Sequence, residues 1–349
     1  MAEVAVTVIM PVYNSERYVE QAVRSILSQE FDSFELLLID DGSSDGSGAI
    51  CDDLAAGDSR VRVVHKKNGG MCSARNLGIQ LAQGEYLGFA DNDDLMLPGL
   101  LRDNYALAKE HDADCVRFGR RCVTTNECGD IIQTSELVPK QLEVLNGDEL
   151  FERYEQLMFT EAVWTGLFRK SCIVANGITF DERLRHGSED RLFVTHVFEH
   201  ARTIVLNPGI YYVWQRRVGH SASVSLGDNK FLGWLLATSA EHHLMVAHGV
   251  DKTNPAFFGK RMLTNLMEAE HDVANTRSND GWRDMGNLVA RLGALYRPYA
   301  KELKQVPLGA VSKVILTSAL KGRSLPSYLY VRYARAETKR QVERQQRTA

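Results

Sequence analysis

Short apolar runs alternate with amphipathic segments from the N-terminus to about residue 120, and this rhythm constrains the fold most strongly. Val4–Met10 is rich in Val and Ile and predicts a buried strand that Pro11 ends. Glu16–Gln29 then carries apolar residues at helical spacing, and Phe34–Ile39 is a second buried strand. The alternation continues with predicted strands at Val61–His65, Tyr86–Ala90 and Cys115–Phe118, and with helices at Gly46–Ala56, Ser73–Ala82 and after Pro98. We therefore expect an α/β fold with a mainly parallel sheet and flanking helices.

The pattern changes twice further along the chain. From about residue 120 to 215 it breaks into short strands and helices, an insertion that we expect to cover one side of the sheet and to face the substrate. Beyond Gly219 it is nearly all helical, at Asn229–His248, Ala256–Asn275, Asp280–Leu295 and from Leu303 onward. The predicted organisation is an α/β domain over residues 1–225 and a helical C-terminal region with a basic tail over residues 226–349.

Charge and cysteine content exclude several classes of protein. The net charge is −4, but residues 301–349 hold 11 Lys and Arg against 3 Asp and Glu, so the rest of the chain is strongly acidic. An acidic body argues against nucleic acid as a ligand, because phosphate backbones require a basic track. The six cysteines form no C-x-x-C pair, which is typical of reduced thiols in a cytosolic protein. We expect no signal peptide, because the first ten residues lack a basic n-region and run straight into a strand-like pattern. No uninterrupted apolar stretch approaches the ~18 residues that a membrane span needs, so we expect a cytoplasmic protein.

The basic tail has two interpretations. Val306–Leu320 combines apolar residues with Lys313, and Tyr328, Tyr330 and Tyr333 follow in a basic context. Such a segment could make peripheral contact with an anionic membrane surface, which would place the protein at the inner face of the membrane. The alternative is a solvated terminal helix that packs on the protein body or on a partner subunit.

The acidic cluster Asp91-Asn92-Asp93-Asp94 follows one of the predicted strands directly. Carboxylates in this arrangement can hold Mg²⁺ or Mn²⁺ on hard oxygen ligands, while water and substrate phosphates supply the other ligands. The competing interpretation is that these residues cap the helix that begins near Pro98, since Asp and Asn are preferred at helix N-caps.

Two further acidic clusters occupy comparable positions. Asp40-Asp41 follows a predicted strand and precedes Gly42, so an Asp there could accept hydrogen bonds from a ribose or a base edge, or it could open an Asx turn. Glu189-Asp190 should lie in the first turn of a helix. There it could supply a general base that deprotonates a sugar hydroxyl, or it could simply be stabilised by the helix dipole.

The motifs are more specific as an ordered set than they are singly. They are Val8-Ile9-Met10-Pro11-Val12-Tyr13-Asn14, Ile39-Asp40-Asp41-Gly42-Ser43-Ser44-Asp45, Asn68-Gly69-Gly70 with Ala74-Arg75-Asn76, Phe89-Ala90-Asp91-Asn92-Asp93-Asp94, and Ser188-Glu189-Asp190-Arg191-Leu192-Phe193. This series resembles the family 2 glycosyltransferases, which are inverting enzymes with the nucleotide-diphospho-sugar-binding GT-A fold. The resemblance covers about residues 4–220 and is specific as a set, whereas each motif alone is weak.

The resemblance implies a role for each motif. The nucleotide site would consist of Pro11, Tyr13, Asn14, Asp41, Arg75 and Asp91, with Asp41 at the base edge and Asp91 at the ribose or a metal-bound water. Asp93 would be the direct ligand of Mn²⁺ or Mg²⁺, and Asp190 would be the catalytic base. Trp164 and Glu189 would lie on the acceptor side.

Arg216 and Ser221 resemble the part of the family that closes over the diphosphate, although a solvated loop explains them equally well. Two segments depart from the family pattern. Ser188 stands where members often have Gly, and Thr165-Gly166 replaces the more usual Asn-Lys. Both departures fall in the half expected to face the acceptor, so they put the acceptor's identity in doubt and leave the reaction type unaffected.

The resemblance implies transfer of a sugar, with inversion, from a nucleotide diphosphate donor such as a UDP-sugar to a hydroxyl of a glycan or lipid-linked saccharide in cell-surface polysaccharide synthesis. Two alternatives stay open. A nucleotidyltransferase acting on sugar phosphates would normally carry a glycine-rich phosphate loop after the first strand, where this chain has Pro11-Val12-Tyr13-Asn14. A non-catalytic nucleotide-sugar-binding protein would be expected to have lost some of the acidic clusters.

Overall fold

The computed structural model describes residues 4–184, 187–217, 228–253 and 310–323, together with positions 259, 261, 264, 296, 297 and 300. The chain divides into two compact units, Met1–Ser223 and Val224–Ala349. The first unit holds the sheet and the residues of the candidate site.

Ten strands form the sheet of the first unit. They are β1 (Val6–Val12), β2 (Phe34–Asp40), β3 (Val61–His65), β4 (Tyr86–Phe89), β5 (Leu95–Met96), β6 (Cys115–Thr125), β7 (Ile131–Leu137), β8 (Glu143–Asn146), β9 (Gly166–Arg169) and β10 (Thr203–Arg217). The helices of this unit are α1 (Val19–Leu27), α2 (Ser47–Gly57), α3 (Met71–Leu81), α4 (Leu100–Glu110), α5 (Glu149–Glu152), α6 (Tyr154–Leu157), α7 (Lys170–Ala175) and α8 (Glu189–His200), with a 3₁₀ turn at Val163–Thr165.

The strand order is β3-β2-β1-β4-β9-β6-β10-β5, with β7 paired to β6 and β8 paired to β10. Strands β3, β2, β1 and β4 are parallel, whereas β9 runs antiparallel to both of its neighbours. The predicted α/β architecture with a mainly parallel N-terminal half is confirmed. Because the carboxyl ends of parallel strands meet at one edge, residues that follow β2 and β4 lie at the same edge of the sheet.

Layers on both faces explain why the middle of β2, Leu36–Ile39, is apolar without interruption. Leu36 and Leu38 of β2 belong to the core that includes Val23 of α1, while Leu37 and Ile39 pack with Ala74 of α3. Successive side chains of a strand point to opposite faces, so a stretch of strand that is covered on both sides tends to be apolar at successive positions.

The predicted strand end at Pro11 is wrong. β1 continues to Val12, with Pro11 opposite Ile39 and Val12 opposite Asp40 in the parallel ladder. An extended strand tolerates proline where its missing N–H is not needed, and the Pro11 carbonyl accepts a hydrogen bond from Asn92 Nδ2 at 3.1 Å. Pro11 therefore lies inside the strand and contacts the loop that follows β4.

The described part of the second unit is helical, with α9 (Asp228–Ala247), α10 (Val250–Thr253) and α11 (Ala310–Leu320). Helix α9 matches the predicted segment Asn229–His248, whereas Ala256–Asn275 and Asp280–Leu295 lie almost wholly outside the described residues. None of the helices in the described ranges has both the length and the apolar character that a membrane crossing requires. All six cysteines are free thiols, as predicted.

Candidate active site

The site is organised around Arg75, a guanidinium on α3 that is only 1% exposed. Its Nη1 donates to Asp190 Oδ1 at 2.6 Å, and its Nη2 donates to Asp91 Oδ1 at 3.1 Å. The guanidinium carbon also lies 5.1 Å from the centroid of the Phe180 ring. One buried cation therefore joins two acidic motifs that are about a hundred residues apart in sequence.

Burial and mutual repulsion perturb the acids around Arg75. Burial raises the pKa of Asp91 to about 6, against the opposing effect of Arg75, and Asp190 and Asp93 raise it further. Burial likewise raises the pKa of Glu189 to about 7, with Asp190 adding to the rise. Burial alone would lower the pKa of Arg75, but the nearby carboxylates hold it above its ordinary value. The negative charge of the cluster is therefore balanced by the Arg75 guanidinium.

The resemblance assigns Arg75 to holding the nucleotide, and that role stays a prediction; the structure shows a buried side chain with two carboxylate partners. It orients Asp91 and Asp190, and almost none of its surface is open to a ligand. We therefore describe Arg75 as a positioning residue for these two acids.

Asp190 lies in the first turn of α8, as predicted. Its Oδ2 accepts a hydrogen bond from the Val163 backbone N–H at 3.1 Å, and 17% of its side chain is exposed. Each carboxylate oxygen can accept more than one hydrogen bond, so Asp190 can still accept a proton from a hydroxyl. The Glu189 side chain beside it is buried, and its Oε2 has no hydrogen-bond partner within the described structure.

Ser188 precedes this pair with φ of 67°, in the left-handed region that favours glycine. This backbone conformation explains why family members often have glycine here, and Ser188 adopts it at a cost in free energy.

Asp41 ties the end of β2 to the start of α3. Its backbone N–H donates a hydrogen bond to the Val12 carbonyl. Its Oδ1 accepts hydrogen bonds from Lys66 Nζ at 2.5 Å and from the Gly69 N–H at 2.9 Å. Its Oδ2 accepts one from the Gly70 N–H at 2.7 Å, and Gly70 is the residue before α3 begins. Asp41 thus fixes the N-terminus of the helix that carries Arg75, in addition to its predicted position near a base.

Asp40 forms a separate network. Its Oδ2 lies 2.8 Å from His65 Nδ1, and His65 Nε2 lies 3.0 Å from Asp52 Oδ1. Hydrogen bonds to Asp40 and then Asp52 raise the pKa of His65. Burial opposes ionisation of Asp40, but hydrogen bonds from Ser43 and His65 outweigh it and lower the pKa of that carboxyl. This network supports the turn at Gly42, whose φ of +74° confirms the predicted need for glycine.

The residues predicted to line a nucleoside pocket lie in or just after the last residues of β1. Tyr13 is 50% exposed. Asn14 has φ of 46°, and its Oδ1 accepts a hydrogen bond from the Ser44 N–H at 2.8 Å. Pro11 contacts Asn92 as described above. Asn14 thus contacts the loop after β2, where Asp41 lies, and Pro11 contacts the loop after β4.

Asp93 is held by Arg217, the last residue of β10. Arg217 Nη1 donates to Asp93 Oδ2 at 2.8 Å, and Nη2 donates to the Asp93 backbone carbonyl at 3.0 Å. Burial raises the pKa of Asp93, and Arg217 opposes that rise. Asp94 Oδ1 accepts a hydrogen bond from the Gln215 N–H at 2.8 Å, so β10 is fixed to the acidic cluster at two points.

Arg216, which was predicted to contact the diphosphate, is exposed. Neighbouring residues of a strand face opposite sides, so Arg216 points away from the face on which Arg217 contacts Asp93. Ser221 lies outside the described residues. Of the two neighbouring arginines that the structure describes here, Arg217 contacts the acidic cluster, and the sequence interpretation did not select it.

Trp164 was predicted on the acceptor side, and the structure places it in a buried aromatic stack. Its ring lies 4.4 Å from the Tyr212 ring at an angle of 19°. The Tyr212 hydroxyl accepts a hydrogen bond from the Asp91 N–H at 3.0 Å. Trp164 therefore supports Asp91 through Tyr212, while its predicted contact with an acceptor is untested.

A metal site made entirely of protein ligands is absent from the described residues, where no three His, Cys, Asp or Glu side chains are grouped to hold an ion. The cluster nevertheless fits a cation that a substrate shares. The Arg217 guanidinium already stands beside Asp93 as a positive charge. Mg²⁺ and Mn²⁺ typically bind one or two carboxylates and take their other ligands from water and substrate phosphates. Asp93 would be the direct ligand of such an ion, and Asp91 would meet the ribose or a water bound to the ion.

The fold is shared with the S. aureus protein TarS. The crystal structure of TarS 1-349 in complex with UDP-GlcNAc aligns with a TM-score of 0.62 at 21% identity, covering 91% of this chain and 92% of that one. A longer TarS structure aligns with a TM-score of 0.65 at 20% identity, covering 94% of this chain and 54% of that one. The sheet, the flanking helices and the acidic edge therefore define a protein of the GT-A fold class.

Sequence relatives identify the family within that class. YibD of Escherichia coli K12, an uncharacterized glycosyltransferase, is 30% identical over 264 residues, which cover 74% of this chain and 73% of YibD. The model of glycosyl transferase family 2 matches residues 7–173. This chain belongs to glycosyl transferase family 2.

The match to another relative is shorter. EpsJ of Bacillus subtilis strain 168, also an uncharacterized glycosyltransferase, is 35% identical over 216 residues, which cover 59% of this chain and 60% of EpsJ. The chain thus spans about 60% of the length of that relative.

Proposed function

We propose that this protein is an inverting glycosyltransferase that moves a sugar from a nucleotide diphosphate donor, a UDP-sugar, to a hydroxyl of a glycan or lipid-linked saccharide. The observation that carries the proposal is the bridge from Asp91 through Arg75 to Asp190. One buried cation thereby contacts both Asp91, which we propose on the donor side, and Asp190, which we propose as the base. Membership of glycosyl transferase family 2 and the fold shared with a UDP-GlcNAc complex support the choice of reaction and donor.

A single displacement with inversion needs a base on the face opposite the leaving group and positive charge beside the leaving diphosphate. Asp190 is suited to the first task. Arg75 and the Val163 N–H fix its orientation, and part of its side chain remains exposed to a bound hydroxyl. A divalent cation at Asp93 would supply the second requirement by neutralising charge on the diphosphate. Mn²⁺ or Mg²⁺ is thus part of the proposal.

On the acceptor, we infer a glycan or lipid-linked saccharide of cell-surface polysaccharide synthesis, from the family resemblance alone. Peripheral membrane contact through the basic tail belongs to the same proposal. Helix α11 lies in that tail, whereas Tyr328, Tyr330 and Tyr333 lie outside the described residues. Co-sedimentation of the full-length protein with anionic vesicles, and its absence with neutral vesicles, would support membrane contact.

The proposed reaction is tested with a panel of UDP-, GDP- and dTDP-sugars in the presence of Mn²⁺, with nucleotide release as the readout. We expect release from UDP-sugars by the native protein and a strong loss of release in Asp93→Asn. A non-catalytic binding protein would release no nucleotide from any member of the panel. Consumption of a nucleoside triphosphate with release of pyrophosphate would instead indicate the nucleotidyltransferase alternative.

A further inference from the structure

Arg217 occupies Oδ2 of Asp93, an oxygen at which a cation could bind. Two of its nitrogens contact this residue, at the carboxylate Oδ2 and at the backbone carbonyl. Nη1 also lies 3.4 Å from the Gln215 carbonyl, and the guanidinium carbon lies 4.0 Å from the centroid of the Tyr18 ring. Carboxylate, carbonyls and an aromatic face together form a site that accepts positive charge.

We propose that Arg217 is an internal competitor for the divalent cation at Asp93, and that this competition makes cation and nucleotide bind cooperatively. The inference rests on the proposed function, because it assumes that the donor brings a diphosphate to this edge of the sheet. The motif pattern assigns no such role to Arg217, and the neighbouring Arg216 does not contact Asp93 from the opposite side of the strand.

The competition follows from the geometry at Asp93 Oδ2. A cation that binds this oxygen must displace a guanidinium nitrogen from 2.8 Å, and it loses the favourable energy of that ion pair. The side chain of Arg217 is 16% exposed and that of Asp93 is 40% exposed, so the pair is partly shielded from solvent. Partly exposed ion pairs are worth about 1 kcal/mol at most, which corresponds to roughly a fivefold weakening of cation binding.

The cooperativity follows from the chemistry of the displaced guanidinium. Its planar fork matches phosphate oxygens as well as it matches a carboxylate. When a diphosphate is present, Arg217 can exchange Asp93 for phosphate oxygens, so displacement no longer leaves it without a partner. By thermodynamic linkage, the nucleotide then tightens cation binding by the same factor by which the cation tightens nucleotide binding.

The strand allows this exchange without rearrangement of its backbone. The Gln215 N–H remains bonded to Asp94 Oδ1, and β10 pairs with β6 up to Arg217 and Thr125. The exchange therefore requires only new rotamers of one long side chain. Arg216 lies next to it, carries the same charge and faces the opposite side of the strand, which makes it a matched control.

The test measures Mn²⁺ binding by electron paramagnetic resonance of the free ion, with and without UDP, in the native protein, Arg217→Gln and Arg216→Gln. We expect Arg217→Gln to bind Mn²⁺ alone about fivefold more tightly than the native protein. We also expect the factor by which UDP tightens Mn²⁺ binding to shrink by about the same amount. Arg216→Gln should change both quantities by less than about twofold, because exposed charges beyond direct contact are screened.

Several results would overturn the inference. Unchanged or weaker Mn²⁺ binding in Arg217→Gln would show that Arg217 does not compete for Asp93. Equal effects in the two variants would show that only net charge matters. UDP binding that is indifferent to Mn²⁺ in the native protein would mean that no cation exchanges with Arg217. Arg217→Lys, which keeps the charge and loses the fork, should retain part of the competition and guards against a folding defect in Arg217→Gln.

The proposed function can fail independently of this inference. If Mn²⁺ and UDP bind cooperatively as expected but no sugar is transferred or hydrolysed, the competition by Arg217 stands and the catalytic assignment is lost. If turnover is normal while Arg217→Gln leaves the coupling between Mn²⁺ and UDP unchanged, the function stands and the role of Arg217 is refuted.

Discussion

Replacement of Arg75 by Met removes the buried cation and keeps a side chain of similar length. Asp91, Asp190 and Glu189 then share a site without the guanidinium that contacts the first two at 3.1 Å and 2.6 Å. Breaking a buried ion pair by removing one partner typically costs about 3–5 kcal/mol. For a unit of this size, that cost corresponds to a fall of roughly 6–20 °C in the melting temperature.

The loss of stability in Arg75→Met should depend on pH in a defined direction. A carboxyl whose folded pKa is raised binds protons that the unfolded chain lacks, so folding stability falls as pH rises through that window. Glu189, with a pKa of about 7, and Asp91, with a pKa of about 6, already behave in this way in the native protein. Without Arg75 both values should rise further, so the difference in stability between variant and native protein should grow with pH.

Urea unfolding at about pH 5 and about pH 8.5 measures this difference directly. The matched control is Arg24→Met, which removes an arginine whose side chain is 67% exposed and paired with Glu20 on α1. It should change the unfolding free energy by less than about 0.5 kcal/mol at either pH. A cost for Arg75→Met below about 1 kcal/mol at the higher pH, or a cost independent of pH, would refute the account of a charge-balancing cation.

Two smaller predictions concern other parts of the site. Hydrogen bonds to Asp40 and Asp52 raise the pKa of His65. The stabilisation from protonated His65 should therefore be complete below pH about 6.5 and disappear as pH rises through the raised pKa. The free energy of unfolding of His65→Gln should be lower than that of the native protein by up to about 1 kcal/mol near pH 6 and equal to it near pH 9. A deficit that grows toward alkaline pH would contradict this. Ser188→Gly relieves the strain of a left-handed backbone conformation, so it should stabilise the protein by up to about 1 kcal/mol and raise the melting temperature accordingly. A lower melting temperature would show that the serine side chain stabilises the fold by more than its strain costs.

The sequence was sufficient for the architecture because the apolar periodicity of the N-terminal half is regular. The predicted strand Val61–His65 agrees with β3 residue for residue, and the predicted helix Ser73–Ala82 overlaps α3 within two residues. Pro11 was misjudged because proline ends many strands, whereas its place inside β1 follows from the pairing with β2, opposite Ile39.

The site was only partly predictable from the sequence. That Asp91 and Asp190 share a partner follows from the fold, since nothing in the sequence indicates which buried guanidinium lies between them. The contact of Arg217 with Asp93 was also not predictable, whereas the role of Arg216, inferred from the family's spacing, stays a prediction. Strand β10 has register shifts relative to β6 between Asn207 and Ile210 and again between Ile210 and Tyr212. Such irregularities reverse the facing of side chains, so simple alternation along the sequence cannot assign a face.

The central claim is that Asp190 accepts the proton of the incoming hydroxyl while other groups hold the donor. The most direct measurement compares sugar transfer and UDP binding in Asp190→Asn with those in Glu199→Gln, a change near the other end of the same helix. We expect Asp190→Asn to bind UDP with Mn²⁺ about as tightly as the native protein and to lose transfer by at least about 10²-fold, while Glu199→Gln retains both. Near-normal transfer by Asp190→Asn would contradict the claim.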